Sequence, residues 1–288
     1  MTTTLAGEYV FSSRPDASHT SRSEQLFHRD LSETFAFASD GIGDAVIREK
    51  PDSVGLNIGF RANSDRPSGA VALVGGTVIS MNGDEVIPDA TVLVEGNRIT
   101  AVGPSATTPV PTGAAQVDAT GRYLIPGIVD VHAHIGTGSN GITPQTHWGY
   151  LANLAFGVTT MHDPSNNSEM VFSSSELIRA GQVTAPRLFS TGTILYGAEG
   201  NFRAVVTDYE EAVSHLRRMQ AMGAFSVKSY NQPRRDQRQQ IVEAARQLGM
   251  MVIPEGGSTY HWNITHVLDG HTGLEHNIPI APLYRGTH

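Results

Sequence analysis

Two histidines one residue apart, His132 and His134, close the apolar run Leu124-Ile125-Pro126-Gly127-Ile128-Val129-Asp130-Val131. The β-branched residues predict a strand, and side chains of a strand alternate between its two faces. Both imidazoles therefore point the same way and can converge on one divalent ion, whose imidazole nitrogens sit about 2.0–2.1 Å away. A solvated pair on a strand edge is the competing reading of a lone His-x-His. The Pro-Gly-x-Val-Asp-x run ahead of this pair favours a metal site.

From Tyr123 onward, strand and helix patterns alternate, which predicts an α/β chain of βα units around a parallel sheet. Further strands are expected at 158–162, 187–191, 225–229, 250–255 and 273–276. Helices are expected over 144–156 and 168–180. A third is marked by a capping box, Thr207-x-x-Glu210, and keeps Val213, Leu216, Met219 and Met222 at helical spacing. A fourth puts Ile241, Ala245 and Leu248 on one face before Gly249. In a (β/α)8 TIM barrel the reactive groups gather at the C-terminal ends of the strands. His132, His134, His162, Lys228, Glu255 and His276 all fall at such ends. Packing alone does not explain metal-capable side chains on five separate elements.

Six strands are two short of a closed barrel, and about 165 residues after Leu124 fall below the roughly 250 such a barrel takes. Residues 123–288 are thus expected to form an incomplete TIM-like barrel of about six βα units. Residues 70–122 read as all-β, with Asn82-Gly83 and Glu95-Gly96-Asn97 turns between β-branched runs. Residues 1–69 carry short strand-like pieces, at 8–12 and 34–38, between polar turns. Pro67-Ser-Gly-Ala70 reads as a linker.

Composition narrows the chemistry. The chain has 288 residues, a net charge of −8 and no long run of like charges, which argues against nucleic acid or an anionic membrane surface as partner. No apolar run approaches the length of a membrane span. With no cysteine, any metal must be held by nitrogen and oxygen. There is no Gly-x-Ser-x-Gly elbow, phosphate-binding loop or dinucleotide fingerprint. The first residues lack the basic region and apolar core of a signal peptide.

Over roughly residues 70–288, the His132-Ala-His134 strand and the later motifs resemble the amidohydrolase superfamily, in its imidazolonepropionase- and prolidase-like branches. The resemblance implies a small β-sandwich ahead of the barrel, of which 70–122 would be the N-terminal half. Residues 1–69 resemble the tail of a TolB-like β-propeller, which implies, weakly, an exported or periplasmic protein; the compartment stays open. Lys228, within Ala224-Phe-Ser-Val-Lys-Ser-Tyr, matches a fourth-strand lysine often carboxylated to bridge two metals. A lysine snorkelling at a strand end is the alternative. His276, in Gly273-Leu-Glu-His, matches the sixth-strand ligand. Glu255 stands where the family ends its fifth strand in histidine, a swap that shifts preference towards harder metals; a loop glutamate capping a helix is equally open.

The resemblance therefore implies His132, His134, Lys228, Glu255 and His276 around two divalent ions, zinc first with manganese or iron as alternatives. A hydroxide held by the metals would attack an amide or cyclic amide of a small-molecule or dipeptide substrate. His162, Asp163 and Tyr196 are assigned to the pocket wall, orienting ligands or touching substrate, and His147 to packing or the surface. His261, His266 and His271, five residues apart, share no helix face and are assigned to the surface or the pocket lip. The family's catalytic aspartate after strand eight finds no match before His288, so the chain reads as a fragment open to pairing with another chain. A non-catalytic binding or scaffold module is the alternative function.

Overall fold

The computed structural model describes residues 9–11, 17–22, 25–30, 55–57, 68–137, 143–144, 146–197, 200, 203–230, 234–257 and 260–276. The strand expected at 34–38 lies outside them. The chain divides into two units, Met1–Ala62 and Asn63–His288. In the first, β1 (Tyr9–Phe11), β2 (Ala17–Arg22), β3 (Gln25–Asp30) and β4 (Leu56–Asn57) pair antiparallel in that order.

The second unit begins with one sheet of β5 (Ala70–Ile79), β6 (Val86–Glu95), β7 (Arg98–Pro104), β8 (Ala115–Asp118) and β9 (Tyr123–Leu124). Its order is β7-β6-β5-β8, with β9 also beside β5; the β5–β6–β7 meander is antiparallel, and β8 and β9 run parallel to β5. Glu95 pairs with Arg98 across a two-residue turn. Gly96 takes φ 58° there, the left-handed conformation such a tight hairpin needs. Val78, Ala90 and Val92 form the buried centre of this sheet.

Alternating strands and helices follow: β10 (Ile128–Asp130), α1 (Trp148–Ala155), β11 (Val158–Asp163), α2 (Ser168–Arg179), β12 (Arg187–Ser190), β13 (Ile194–Tyr196), β14 (Arg203–Val205), α3 (Tyr209–Ala221), β15 (Ser226–Ser229), α4 (Arg235–Leu248), β16 (Met251–Pro254) and α5 (Tyr260–Asp269). They make two all-parallel sheets, β10-β11-β12 and β14-β13-β15-β16. The expected α/β class with parallel strands is present, and no closed barrel forms among the described residues.

Several elements differ from expectation. The third strand is broken by Gly192 at φ 64° and continues as β13, with β14 an unforeseen neighbour. Residues 273–276 are irregular rather than a sixth strand. The cap of α3 sits one residue later than the motif suggested: Asp208 Oδ1 accepts from the Glu211 amide at 2.8 Å, and Glu211 Oε2 accepts from the Thr207 amide at 2.7 Å. The Asp208 carboxylate takes the N-cap role, while the Thr207 hydroxyl donates to Glu211 Oε2 at 2.8 Å. His266, assigned above to the surface or lip, is 1% exposed. It packs beside Trp262 and His271 with ring centroids 5.8 and 4.7 Å away, whereas His261 is exposed.

The main core lies between the helices and one face of the sheets. Ala212, Leu216 and Met219 of α3 and Ile241, Ala244 and Ala245 of α4 join Val227 and Val252 in it. Strand alternation then sends Ser226 and Lys228 to the opposite face of β15. His215, also buried on α3, has Nε2 3.2 Å from the Thr193 carbonyl and Nδ1 3.2 Å from Arg218 Nη2. Its Nε2–H donates to the carbonyl and its Nδ1 accepts from the guanidinium, a neutral tautomer. Burial first, and then the Arg218 charge, hold its pKa down at about 4. The unfolded chain binds this proton near pH 6.5, so the contribution is complete above that pH and is lost as pH falls towards 4. The slope is at most about 1.4 kcal/mol per pH unit. Urea unfolding between pH 7 and 4.5 should show a shallower loss in His215→Gln than in wild type; equal slopes would refute this assignment.

Candidate metal centre

His132 and His134 lie just beyond β10, where the Ala133 amide donates to the His162 carbonyl at 2.9 Å. Ala133 enters the core, so the flanking imidazoles turn to the other side together. Their Nε2 atoms come within 2.8 Å of each other. Asp163, buried at the end of β11, places Oδ1 3.3 Å from His134 Nδ1. A carboxylate there holds the proton on Nδ1 and leaves the Nε2 lone pair for a ligand. Asp163 also accepts from Asn166 Nδ2 at 2.7 Å and from the Ser165 amide at 3.0 Å. Burial pushes its pKa up, opposed first by the Asn166 hydrogen bond.

Lys228 is 0% exposed. Its Nζ lies 2.7 Å from Glu255 Oε2 and 2.5 Å from Glu275 Oε2. Glu275 Oε2 is also 3.2 Å from His132 Nδ1, and Glu255 Oε1 is 2.9 Å from His276 Nε2. The His132 and His276 rings meet edge-on, with centroids 4.6 Å apart. Burial, followed by the charge of Lys228 and the neighbouring imidazoles, lowers the His132 pKa to about 4, so its ring is neutral at pH 7. Burial raises the pKa of Glu275, and the hydrogen bond and charge of Lys228 oppose that shift.

His132, His134, Lys228, Glu255 and His276 are thus joined in one contact network. Sequence reasoning missed Glu275, because neighbours in an extended strand point to opposite faces and His276 was already assigned inward. His276 instead takes φ 57°, and both side chains reach the cluster. His162 Nε2 lies 2.8 Å from Ser226 Oγ, and burial, with the charge of Lys228 adding to it, lowers its pKa. Tyr196 ends β13 against the ring of Tyr230, 5.4 Å away. His147 stacks on Tyr150 at 4.6 Å.

The donors fit a divalent cation. Ligand atoms of His132, Glu275 and His276 all lie within 4.8 Å of one another. The set combines neutral imidazole nitrogen with carboxylate oxygen, which suits zinc and harder divalent ions.

Comparison with known proteins shows what the chain resembles. No family model matches the chain. It is 37% identical over 92 residues to an adenine deaminase of Paracoccus denitrificans (strain Pd 1222), covering 31% of this chain and 15% of the deaminase. It is 48% identical over 50 residues to an imidazolonepropionase of Arthrobacter sp. (strain FB24), covering 17% of this chain and 12% of that enzyme. Among solved structures, phenylurea hydrolase B superposes with a TM-score of 0.57 at 26% identity, over 72% of this chain and 59% of that one. A Xaa-Pro dipeptidase with bound methionine shares the fold at a TM-score of 0.59 and 18% identity, over 72% and 61%. These likenesses support a place in the amidohydrolase superfamily, and the matched segments span under a sixth of these curated relatives.

Gly256 ties the two glutamates together. It has φ 80°, and a Cβ there would stand 2.1 Å from the Glu275 carbonyl oxygen. Gly256→Ala should therefore cost about 1–3 kcal/mol in urea unfolding and weaken zinc binding at least tenfold by displacing Glu275. Unchanged stability and affinity would show that the close approach is not required.

Proposed function

We propose that this chain supplies the metal-binding part of a hydrolase that cleaves C–N bonds of amides or cyclic amides, in non-peptide or dipeptide substrates. The observation that carries the reading is the convergence of two histidines, two glutamates and a third histidine around a fully buried lysine. His132, His134, Lys228, Glu255 and His276 would hold two divalent ions, zinc first, with Glu275 beside them. Bound ions of this kind supply Lewis acidity and a water acidified towards neutrality. Asp163 orients His134, and the low pKa of His132 keeps its lone pair available. The relatives named above act, by their names, on adenine, an imidazolone, phenylurea and Xaa-Pro dipeptides, which supports a C–N bond as the target.

Lys228 completes the set as a carbamate. The ammonium gives up one proton, its neutral Nζ adds to CO2 to form an N–C bond, a second proton leaves, and the residue passes from cation to anion. The protonated amine offsets one of the two negative charges of Glu255 and Glu275; the carbamate would add a third negative group beside them. Carboxylation and metal uptake are therefore coupled. We extend the reading to the domains: 1–69 as a propeller segment, supported by a four-stranded antiparallel sheet of blade form, 70–122 as one layer of a β-sandwich, and 123–288 as TIM-barrel units.

Elemental analysis of protein purified without chelator tests the reading, together with assays on amides and lactams. Close to two divalent ions per chain are expected, with native mass spectrometry adding one CO2 when bicarbonate is present. His132→Ala should lose both hydrolysis and most of the metal; retention of both would sink the assignment.

A further inference from the structure

Behind Glu255, the chain is held by a side chain outside the metal cluster. Asn263, in α5, is 3% exposed, and its carboxamide takes both backbone groups of Gly257. Its Oδ1 accepts from the Gly257 amide at 2.8 Å, and its Nδ2 donates to the Gly257 carbonyl at 3.1 Å. One bond needs an acceptor and the other a donor, so the pair also fixes which end of the carboxamide is oxygen. A residue of a neighbouring antiparallel strand would exchange the same two bonds. β16 is the edge of its sheet and its ladder ends at Pro254, so a side chain does beyond that point what a strand would do within it.

The turn is confined on its other sides as well. A Cβ on Gly257 would stand 2.5 Å from Trp262 Cδ1, and that indole lies under the Arg238 guanidinium, 4.4 Å from the ring centre, within cation–π range. The segment that carries Glu275 has a separate anchor. The Thr272 amide donates to the Val252 carbonyl at 2.9 Å, and the Thr272 hydroxyl accepts from the Val252 amide at 2.9 Å. Asn263 therefore serves the turn of Glu255, two residues before Gly257. That carboxylate has to reach in two directions at once, Oε2 to Lys228 Nζ at 2.7 Å and Oε1 to His276 Nε2 at 2.9 Å. Hydrogen bonds weaken steeply once such distances and angles are lost, so the backbone beneath Glu255 must stay in place.

We propose that Asn263 is a positioning residue, which clamps Gly257 and so fixes the Glu255 carboxylate between Lys228 and His276, and that it thereby raises the affinity of the cluster for a divalent ion. The effect on the ion rests on the hydrolase reading; the action of Asn263 through Glu255 does not. Alanine at this position offers neither bond and leaves the Gly257 amide and carbonyl without these partners. Serine keeps a single hydroxyl, enough for one of the two.

The test is a double-mutant cycle of wild type, Asn263→Ala, Glu255→Gln and the two together, read by urea unfolding of chelator-treated chain and by zinc titration. Residues that act through one another give non-additive losses, and independent ones add. Asn263→Ala should lower the urea midpoint clearly in wild type and much less in the Glu255→Gln background. It should weaken zinc binding roughly 10- to 100-fold in wild type, the usual range for a residue that orients a ligand, and at most about twofold in Glu255→Gln. Asn263→Ser should fall between, and replaces the alanine variant throughout if that one does not fold. A role confined to stability would give equal losses in both backgrounds. Additive losses in unfolding, zinc affinity unchanged by Asn263→Ala, or zinc affinity lost equally in both backgrounds would each overturn the proposal. Zinc uptake and amide hydrolysis by wild type with additive losses leave the hydrolase reading standing and remove this one. Coupled losses in unfolding by a chain that takes up no zinc keep Asn263 as the residue that positions Glu255 and remove the hydrolase reading.

Discussion

A lysine ammonium with no solvent contact can persist only among carboxylates, and Lys228 has two, Glu255 and Glu275, within 2.7 Å. Removing a charge from water costs several kcal/mol, which an ion pair of good geometry offsets only in part. Such a pair is a poor source of stability. Its consequence is geometric: β15, the end of β16 and the irregular segment after α5 must meet at one point. The bare Cα of Gly256 lets the last two approach closely enough. The two glutamates then pass the constraint on, Glu255 to His276 and Glu275 to His132.

The helices enforce this arrangement from behind. Val227 and Val252 are locked into the core by α3 and α4, so a one-residue slip of β15 would turn Lys228 into apolar packing and Val227 into the polar cluster. Ala133 does the same for the two histidines on either side of it. Parity, set by hydrophobic burial on one face, delivers polar groups to the other. Asp163 adds orientation, fixing the tautomer of His134 from a neighbouring strand.

Likeness to amidohydrolases leaves the reaction open, because one fold hosts many chemistries and function lives in the site built on it. The substitution of glutamate for histidine after β16 separates this chain from the common ligand pattern and brings a harder donor next to a cationic lysine. Two carboxylates, one buried lysine and three imidazoles form a set whose charge balance depends on what they bind.

The alternation of strands and helices and the strand-end positions of His132, His134, Lys228 and Glu255 were legible in the sequence, because strand periodicity is a local property of the chain; His276 was expected on a strand that does not form. Local patterning also located the hairpin at Gly96 and the core face of α3. It could not reveal Glu275, whose approach depends on a left-handed turn at the next residue, or the burial of His266, which depends on α4 and α5 packing together. The pairing of Arg203 with Tyr196 and Tyr230 was equally hidden, since the three residues come from β13, β14 and the end of β15. What the sequence determined by itself is which residue types sit at the ends of which strands. Which of them touch was decided only by the tertiary structure, because contacts between distant strands depend on how the buried faces pack against the helices.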